Sequence, residues 1–172
     1  MFVIFSKLET DEDHGAWIHR IRLAHDPHHS VVGPHFTLVF PFDGLLVEEV
    51  IPHAEAVALT TSTLRFRLSR ASAVRDAFAP RSHVFLLPTE GEYRLRQLHR
   101  RLYSGVLEPK LLPEIPFVPH VTVGAFDRHE DAERLARSLE PFEIEGELLG
   151  MELAEFDGAA LTEMRHFRFG RR

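Results

Sequence analysis

An α+β fold built from a duplicated unit is what the sequence predicts, and three observations carry it. One order of elements runs twice along the 172 residues. The pattern Pro-His-x-Thr recurs at matching places, Pro34 to Thr37 and Pro119 to Thr122, an offset of 85 residues (120 minus 35). Strands and helices do not alternate cleanly enough for a parallel doubly wound sheet, and no Gly-x-Gly-x-x-Gly or P-loop pattern is present. Two copies are too few for a solenoid, so the repeat implies two sheets related by an approximate two-fold axis.

Each element has its local reason. FVIFSKL, 2–8, is a short apolar strand. GAWIHRIRLAH, 15–25, places Trp17, Ile18 and Ile21 at helical spacing, with Asp13 as a cap. DPHHSVVGP, 26–34, is loop chemistry, and the first motif strand follows it. VEEVIPHAEAVAL, 47–59, is helical, with Pro52 in its first turn or kinking it. LRFRL, 64–68, alternates strictly and extends towards Val74. HVFLLP, 83–88, opens the second copy as a strand. YRLRQLHRRLYSG is an amphipathic helix closed by Gly105, and EPKLLPEIP is a proline-rich loop before FVPHVTVGAF, 117–126. DAERLARSLEPF is a helix ended at Pro141. FEIEGELLGMELAEF and LTEMRHFRFG are strands joined by the turn DGAA. The expected organisation is one domain over 1–172, with repeat halves at 1–75 and 82–157 and a final strand at 161–169.

Composition bounds the function. Hydrophobic residues make up 44% and charged residues 27%, ordinary for a globular chain. There are no cysteines, hence no disulfide framework, thiolate metal site or cysteine nucleophile, which fits a reducing cytoplasm. The N-terminal apolar run is too short for a signal peptide, and no run approaches membrane-spanning length. A formal net charge of −6 argues against long nucleic acid as partner and leaves a short substrate, or a nucleic-acid end held by local basic groups.

The repeated tetrad is not a compositional accident. About 0.035 matches are expected from the Pro, His and Thr content, and two are found, each in an apolar strand. Strand geometry puts His35, Thr37 and Val39 on one face, and likewise His120, Thr122 and Gly124. Facing each other across a two-fold axis, the strands would bring two imidazoles and two hydroxyls to one point. That set suits phosphoester cleavage. One imidazole takes the proton of the attacking water, the other protonates the leaving alkoxide, and the hydroxyls donate to non-bridging phosphate oxygens. The bland alternative, two buried histidines satisfied by backbone, is weighed down by the duplication.

PHFTLVF and PHVTVGAF resemble the paired His-x-Thr signatures of the 2H phosphoesterase superfamily, which contains 2′-5′ RNA ligase-like proteins and RNA 2′,3′-cyclic phosphodiesterases. HDPHHSVVGPHFTL, AFAPRSHVFLL, LYSGVL and FVPHVTVG are similar, in that order, to its small bacterial YjcG-type branch. The resemblance implies a bilobal fold, two antiparallel sheets around a central cleft with helices outside. It carries His35, Thr37, His120 and Thr122 over as the active-site tetrad, with His120 as base and His35 as acid. The expected activity is metal-independent cleavage of a 2′,3′-cyclic phosphate or 2′-linked phosphodiester of a nucleotide or RNA end, by a cytoplasmic monomer without cofactor. Where the cyclic-phosphodiesterase branch commonly has Phe-Leu-Gly after the first motif, this chain has Phe-Pro-Phe.

Other residues are assigned by chemistry. A phosphate needs a cation and a nucleobase likes an aromatic face, which nominates Lys7, Arg81 and Phe78 for substrate contact. His25, His28 and His29 crowd one loop with Asp26. They are read as solvated loop residues, with a metal site including His35 as the alternative. Two further functions stay open on sequence grounds: a metal-dependent phosphohydrolase using those histidines, and a non-catalytic module binding a nucleotide or RNA end.

Overall fold

A computed structural model describes residues 1–77 and 79–170 of the chain. The elements in order are β1 (Phe2–Lys7), β2 (Glu9–Thr10), α1 (Glu12–His25), β3 (His35–Phe42), α2 (Val47–Leu59) and β4 (Leu64–Arg75). There follow β5 (Ser82–Glu90), α3 (Glu92–Leu102), a 3-10 turn (Gly105–Lys110), β6 (Val121–Phe126), α4 (His129–Leu139), β7 (Ile144–Leu148), β8 (Gly150–Phe156) and β9 (Leu161–Arg168). Asp11, rather than Asp13, caps α1: its carboxylate accepts from the His14 amide at 2.9 Å. Asp13 lies in the first turn with Glu12, where negative charge meets the positive end of the helix dipole. Pro52 is the sixth residue of α2, beyond the first turn, and the helix continues through it.

The strands form two antiparallel sheets, ordered β3-β1-β8-β9 and β2-β7-β4-β5-β6. Read outward from the motif strands, the orders correspond: β3-β1-β8-β9 and β6-β5-β4-β7. The third strand of each sheet comes from the other half of the sequence. The helices cross over too. α1 packs on β6 of the second sheet, and α3 packs on β3 of the first. Each sheet is therefore assembled from both sequence halves, and separating the sheets would break connections in both.

The segment 142–156, expected as one strand, is two. β7 belongs to the second sheet and β8 to the first, and the chain changes sheets at Leu149. Gly150 makes the crossing possible, because a Cβ there would sit 2.5 Å from the Phe167 carbonyl oxygen on β9. One apolar core, including Ile4, Phe36, Leu98, Val121 and Met151, runs between the sheets and the helices. The other face of the first sheet carries a small cluster of Val3, Phe5 and Ala154, flanked by Val32 and Leu161. Among the described residues, no helix is long and apolar enough to cross a membrane.

β3 and β6 are both edge strands, and they lie beside each other. This juxtaposition brings the two motifs into one cleft. Pro41, which cannot donate to a sheet ladder, is admissible in β3 because that strand is an edge.

Candidate active site

Both motif strands bulge at the same place. Thr37 lies opposite Phe5 but Val39 opposite Ile4, so β3 advances two residues where β1 advances one. In β6, Thr122 lies opposite Phe85 and Gly124 opposite Val84. Each bulge follows the motif threonine and turns the next residues over. Strict alternation put Val39 and Gly124 on the His/Thr face, and the bulges correct that. Val39 is fully buried in the core. Gly124 faces α1 and α4, where a Cβ would lie 3.2 Å from His25 Cβ and from Leu135 Cδ2.

α3 satisfies the backbone that the first bulge frees. His99 Nδ1–H donates to the Leu38 carbonyl at 2.8 Å, and the Phe40 amide donates to the Tyr103 hydroxyl at 2.9 Å. The His99 ring stacks on Phe117 with centroids 3.7 Å apart. His99 is a buried, structural histidine, and burial lowers its pKa.

The motif histidines are held alike. His35 Nδ1–H donates to the Gly33 carbonyl at 2.9 Å, and His120 Nδ1–H to the Val118 carbonyl at 2.6 Å. In each case the acceptor is two residues back, across the motif proline. A residue before proline is pushed to extended backbone, which sets the direction of that carbonyl. Here lies the physical use of the proline in the repeated pattern. With Nδ1 donating, Nε2 carries the lone pair in the neutral ring and is the nitrogen left for chemistry. Phe85 stacks on the His120 ring at 3.6 Å, while Phe5 meets His35 edge-on at 5.2 Å.

A cavity of about 250 Å³ opens at this place. Its polar side holds His35, Thr37, Thr122, His83, Arg22 and Asp26; Val3, Val32, Phe156 and Leu161 line its apolar side. Neither threonine hydroxyl has a partner among the described residues. Burial pushes His35 down to about 4, with the Arg22 charge adding to the effect. Burial pushes His120 down to about 4 as well, helped by repulsion from His35 and His83. The cleft thus holds two imidazoles that are neutral at neutral pH, each poised to accept a proton when an anion enters.

The structure brings His35, Thr37 and Thr122 to the cavity, and His120 is close enough that the charge of His35 acts on it. Of the other nominated residues, Lys7 and Arg81 do not line the cavity. The Lys7 ammonium is 2.8 Å from Glu152 and 3.4 Å from Glu163, tied across the first sheet. Arg81 is exposed and meets Asp76 through backbone at the turn before β5. Phe78 lies outside the described residues. The loop histidines do not converge. His25 packs on Phe126, His29 donates to the Asp26 carbonyl, and His28 lines the cavity. Among the described residues, the His/Asp/Glu trio with metal-ligand spacing is Glu152, Glu163 and His166, and the Lys7 ammonium sits against both of its carboxylates.

Three cleft residues escaped sequence reasoning. His83 stacks behind Phe85, its Nε2 2.7 Å from Asp76 and its buried Nδ1 without a partner. Phe85 supports His120. Arg22 looked like one more polar position on a surface helix. The alternating HVF stretch marked which face His83 and Phe85 share, but nothing local said that this face meets the cleft.

A family model described as the 2′-5′ RNA ligase superfamily matches residues 10–160. A candidate phosphoesterase of Bacillus licheniformis is 35% identical over 115 residues, 64% of this chain and 64% of that protein. One from a Geobacillus strain is 34% identical over 105 residues, 60% of this chain and 57% of its own length. The chain thus spans under two thirds of these two relatives. A Bacillus cereus relative is 30% identical over 125 residues, 71% of this chain and 66% of that protein. Among solved structures, Thermus thermophilus TT0787 superposes with a TM-score of 0.65 at 18% identity over 98% of both chains. Escherichia coli LigT, complexed with ATP, gives 0.57 at 18% identity over 98% of both. Kluyveromyces marxianus Usb1 gives 0.52 at 12%, over 94% of this chain and 96% of its own. At these identities the superpositions establish a shared fold.

Proposed function

This chain belongs to the 2′-5′ RNA ligase superfamily, and from that premise we propose that it is a phosphoesterase that cleaves phosphodiesters by two-histidine general acid–base catalysis. One observation carries the reading: two His-x-Thr pairs on neighbouring edge strands, each imidazole anchored at Nδ1 by the carbonyl two residues back. A duplicated structural histidine would be buried, as His99 is, whereas both motif histidines are partly exposed at the cleft. Here Nε2 of each motif ring has no protein partner among the described residues.

The substrate is a 2′,3′-cyclic phosphate or 2′-linked phosphodiester of a nucleotide or RNA end. A cavity of about 250 Å³ sits at the small end of ligand pockets, which supports a single nucleotide over a strand. LigT complexed with 3′-AMP and Usb1 with uridine monophosphate support the same class. In the reaction, His120 Nε2 removes a proton from water as its oxygen attacks phosphorus in line. Protonated His35 delivers its proton to the departing ribose 3′ oxygen, leaving a 2′-phosphate. Thr37 and Thr122 donate to the non-bridging oxygens as charge builds there. Two imidazoles account for both proton transfers without a Lewis acid.

The test is a screen of 2′,3′-cyclic nucleotides, ADP-ribose cyclic phosphate and RNA ends with chelator-treated protein, products resolved by ³¹P NMR. Turnover that survives EDTA and is lost in His35→Ala and His120→Ala supports the reading. Turnover that needs an added divalent ion, or binding without turnover, sinks it.

A further inference from the structure

Two imidazoles, whose shared proton is given up to the leaving oxygen, and two hydroxyls supply no fixed positive charge for the proposed chemistry. The five-coordinate phosphorus of the transition state gathers negative charge on its equatorial oxygens, and a cation is needed to hold it. Among the residues lining the cavity, Arg22 alone is a lysine or arginine. Lys7 is spent on Glu152 and Glu163, and Arg67 on Glu90, Glu143 and Glu145.

Arg22 is 3% exposed, on the last turn of α1, directly before the loop that leads into the first motif. Its Nε–H donates to Asp26 Oδ2 at 2.8 Å, and Nη2 reaches the His28 carbonyl at 3.4 Å. The other oxygen of Asp26 accepts the His28 amide at 2.9 Å instead of a second guanidinium bond. The pair is therefore single-pronged, and Nη1 has no partner among the described residues. A buried ion pair is costly, and an apolar pair of similar volume often gives equal stability. Retaining one at the cavity wall, with half the fork unused, fits a ligand better than it fits stability.

We propose that Arg22 is the phosphate-binding cation of the cleft, its outer guanidinium edge receiving non-bridging phosphate oxygens while Asp26 and the His28 backbone hold its inner edge. The assignment rests on the reading of the cleft as a phosphoester site and gives it the group that neither Lys7 nor Arg81 supplies there. It also links binding to proton supply. Burial keeps His35 neutral, and the Arg22 charge adds to the effect. A phosphate on the guanidinium offsets that charge and adds its own negative charge beside the ring, both of which favour the proton His35 must later donate.

The experiment measures inorganic phosphate binding by calorimetry at pH 7 alongside KM and kcat for a 2′,3′-cyclic nucleotide. Arg22→Met leaves Asp26 buried and unpaired, so Arg22→Met/Asp26→Leu is made as well, with cooperative melting as the check on folding. Phosphate affinity should fall about ten- to a hundredfold in both, the scale of hydrogen bonds to a charged group, and Arg22→Lys should recover part of it. A folded double variant that binds phosphate within about twofold of wild type overturns the proposal, since a purely structural pair would leave affinity intact. So does wild-type binding too weak to measure. A groove of about 810 Å³ along α3 with Arg94, Arg100 and Arg101 is the competing anion site; loss of phosphate in Arg100→Gln with Arg22→Met unaffected moves the ligand there and overturns it too. Phosphate binding that depends on Arg22 in a protein that turns over no phosphodiester keeps this proposal and removes the catalytic reading. Histidine-dependent turnover with undiminished phosphate binding in the double variant does the reverse.

Discussion

Raising the pH should switch off the proposed activity of the free protein well below neutrality. Catalysis by the pair needs one imidazole protonated and the other neutral. With His35 and His120 both held near 4, the singly protonated cleft is most populated around that pH. At pH 7 only about one ring in a thousand carries a proton, by the ordinary titration relation. For a diester with no titration of its own in the range, kcat/KM should fall about tenfold per pH unit above about pH 5, hence roughly 100-fold between pH 5 and 7. The profile of kcat should descend later, because the phosphate anion favours the imidazolium once bound. The assay is initial-rate hydrolysis of a 2′,3′-cyclic nucleotide from pH 5 to 8, with the histidine Cε1–H resonances followed by NMR in the same buffers. The apparent constants belong to the pair rather than to one ring. A kcat/KM that is flat or rises across that range, or two rings titrating near 6.5, would refute the reasoning.

His35→Ala or His120→Ala should lower kcat by about 10²–10⁴-fold and Thr37→Val or Thr122→Val by less, measured on the same substrate. A phosphodiester with an activated leaving group should rescue His35→Ala and leave His120→Ala inactive; the opposite pattern reverses acid and base. Because the unfolded rings bind protons near 6.5 and the folded rings only near 4, their contribution to stability is complete above about pH 6.5 and is lost as pH falls towards 4. Each ring contributes up to about 3 kcal/mol, so a His35→Gln/His120→Gln variant should show a shallower fall in denaturant midpoint over that window. His99→Ala should cost about 2–4 kcal/mol, visible as a lower Tm, because it strands the Leu38 carbonyl and removes the stack on Phe117.

The sequence by itself determined the repeat and the motif strands, and it nominated the tetrad with its proposed chemistry. Those depend on short-range facts: a period of two along a strand, a proline before each histidine, and an element order that recurs 85 residues later. It also determined most helices and strands, since apolar spacing is set within a few residues. Tertiary structure decided the rest. Whether Val39 and Gly124 face the cleft depends on bulges, which arise from how β3 and β6 register against β1 and β5. Whether 142–156 is one strand or two depends on which sheet each end joins, and that choice is made by partners up to 153 residues away (155 minus 2). The cation was beyond local reading for the same reason. Lys7 sits directly opposite His35 in the strand pairing, yet two carboxylates from β8 and β9 draw its ammonium away. Arg22, thirteen residues before His35 on a polar helix, reaches the cavity because α1 packs across onto the second sheet and turns its last turn towards the cleft. Long-range packing puts charges together that no spacing along the chain records.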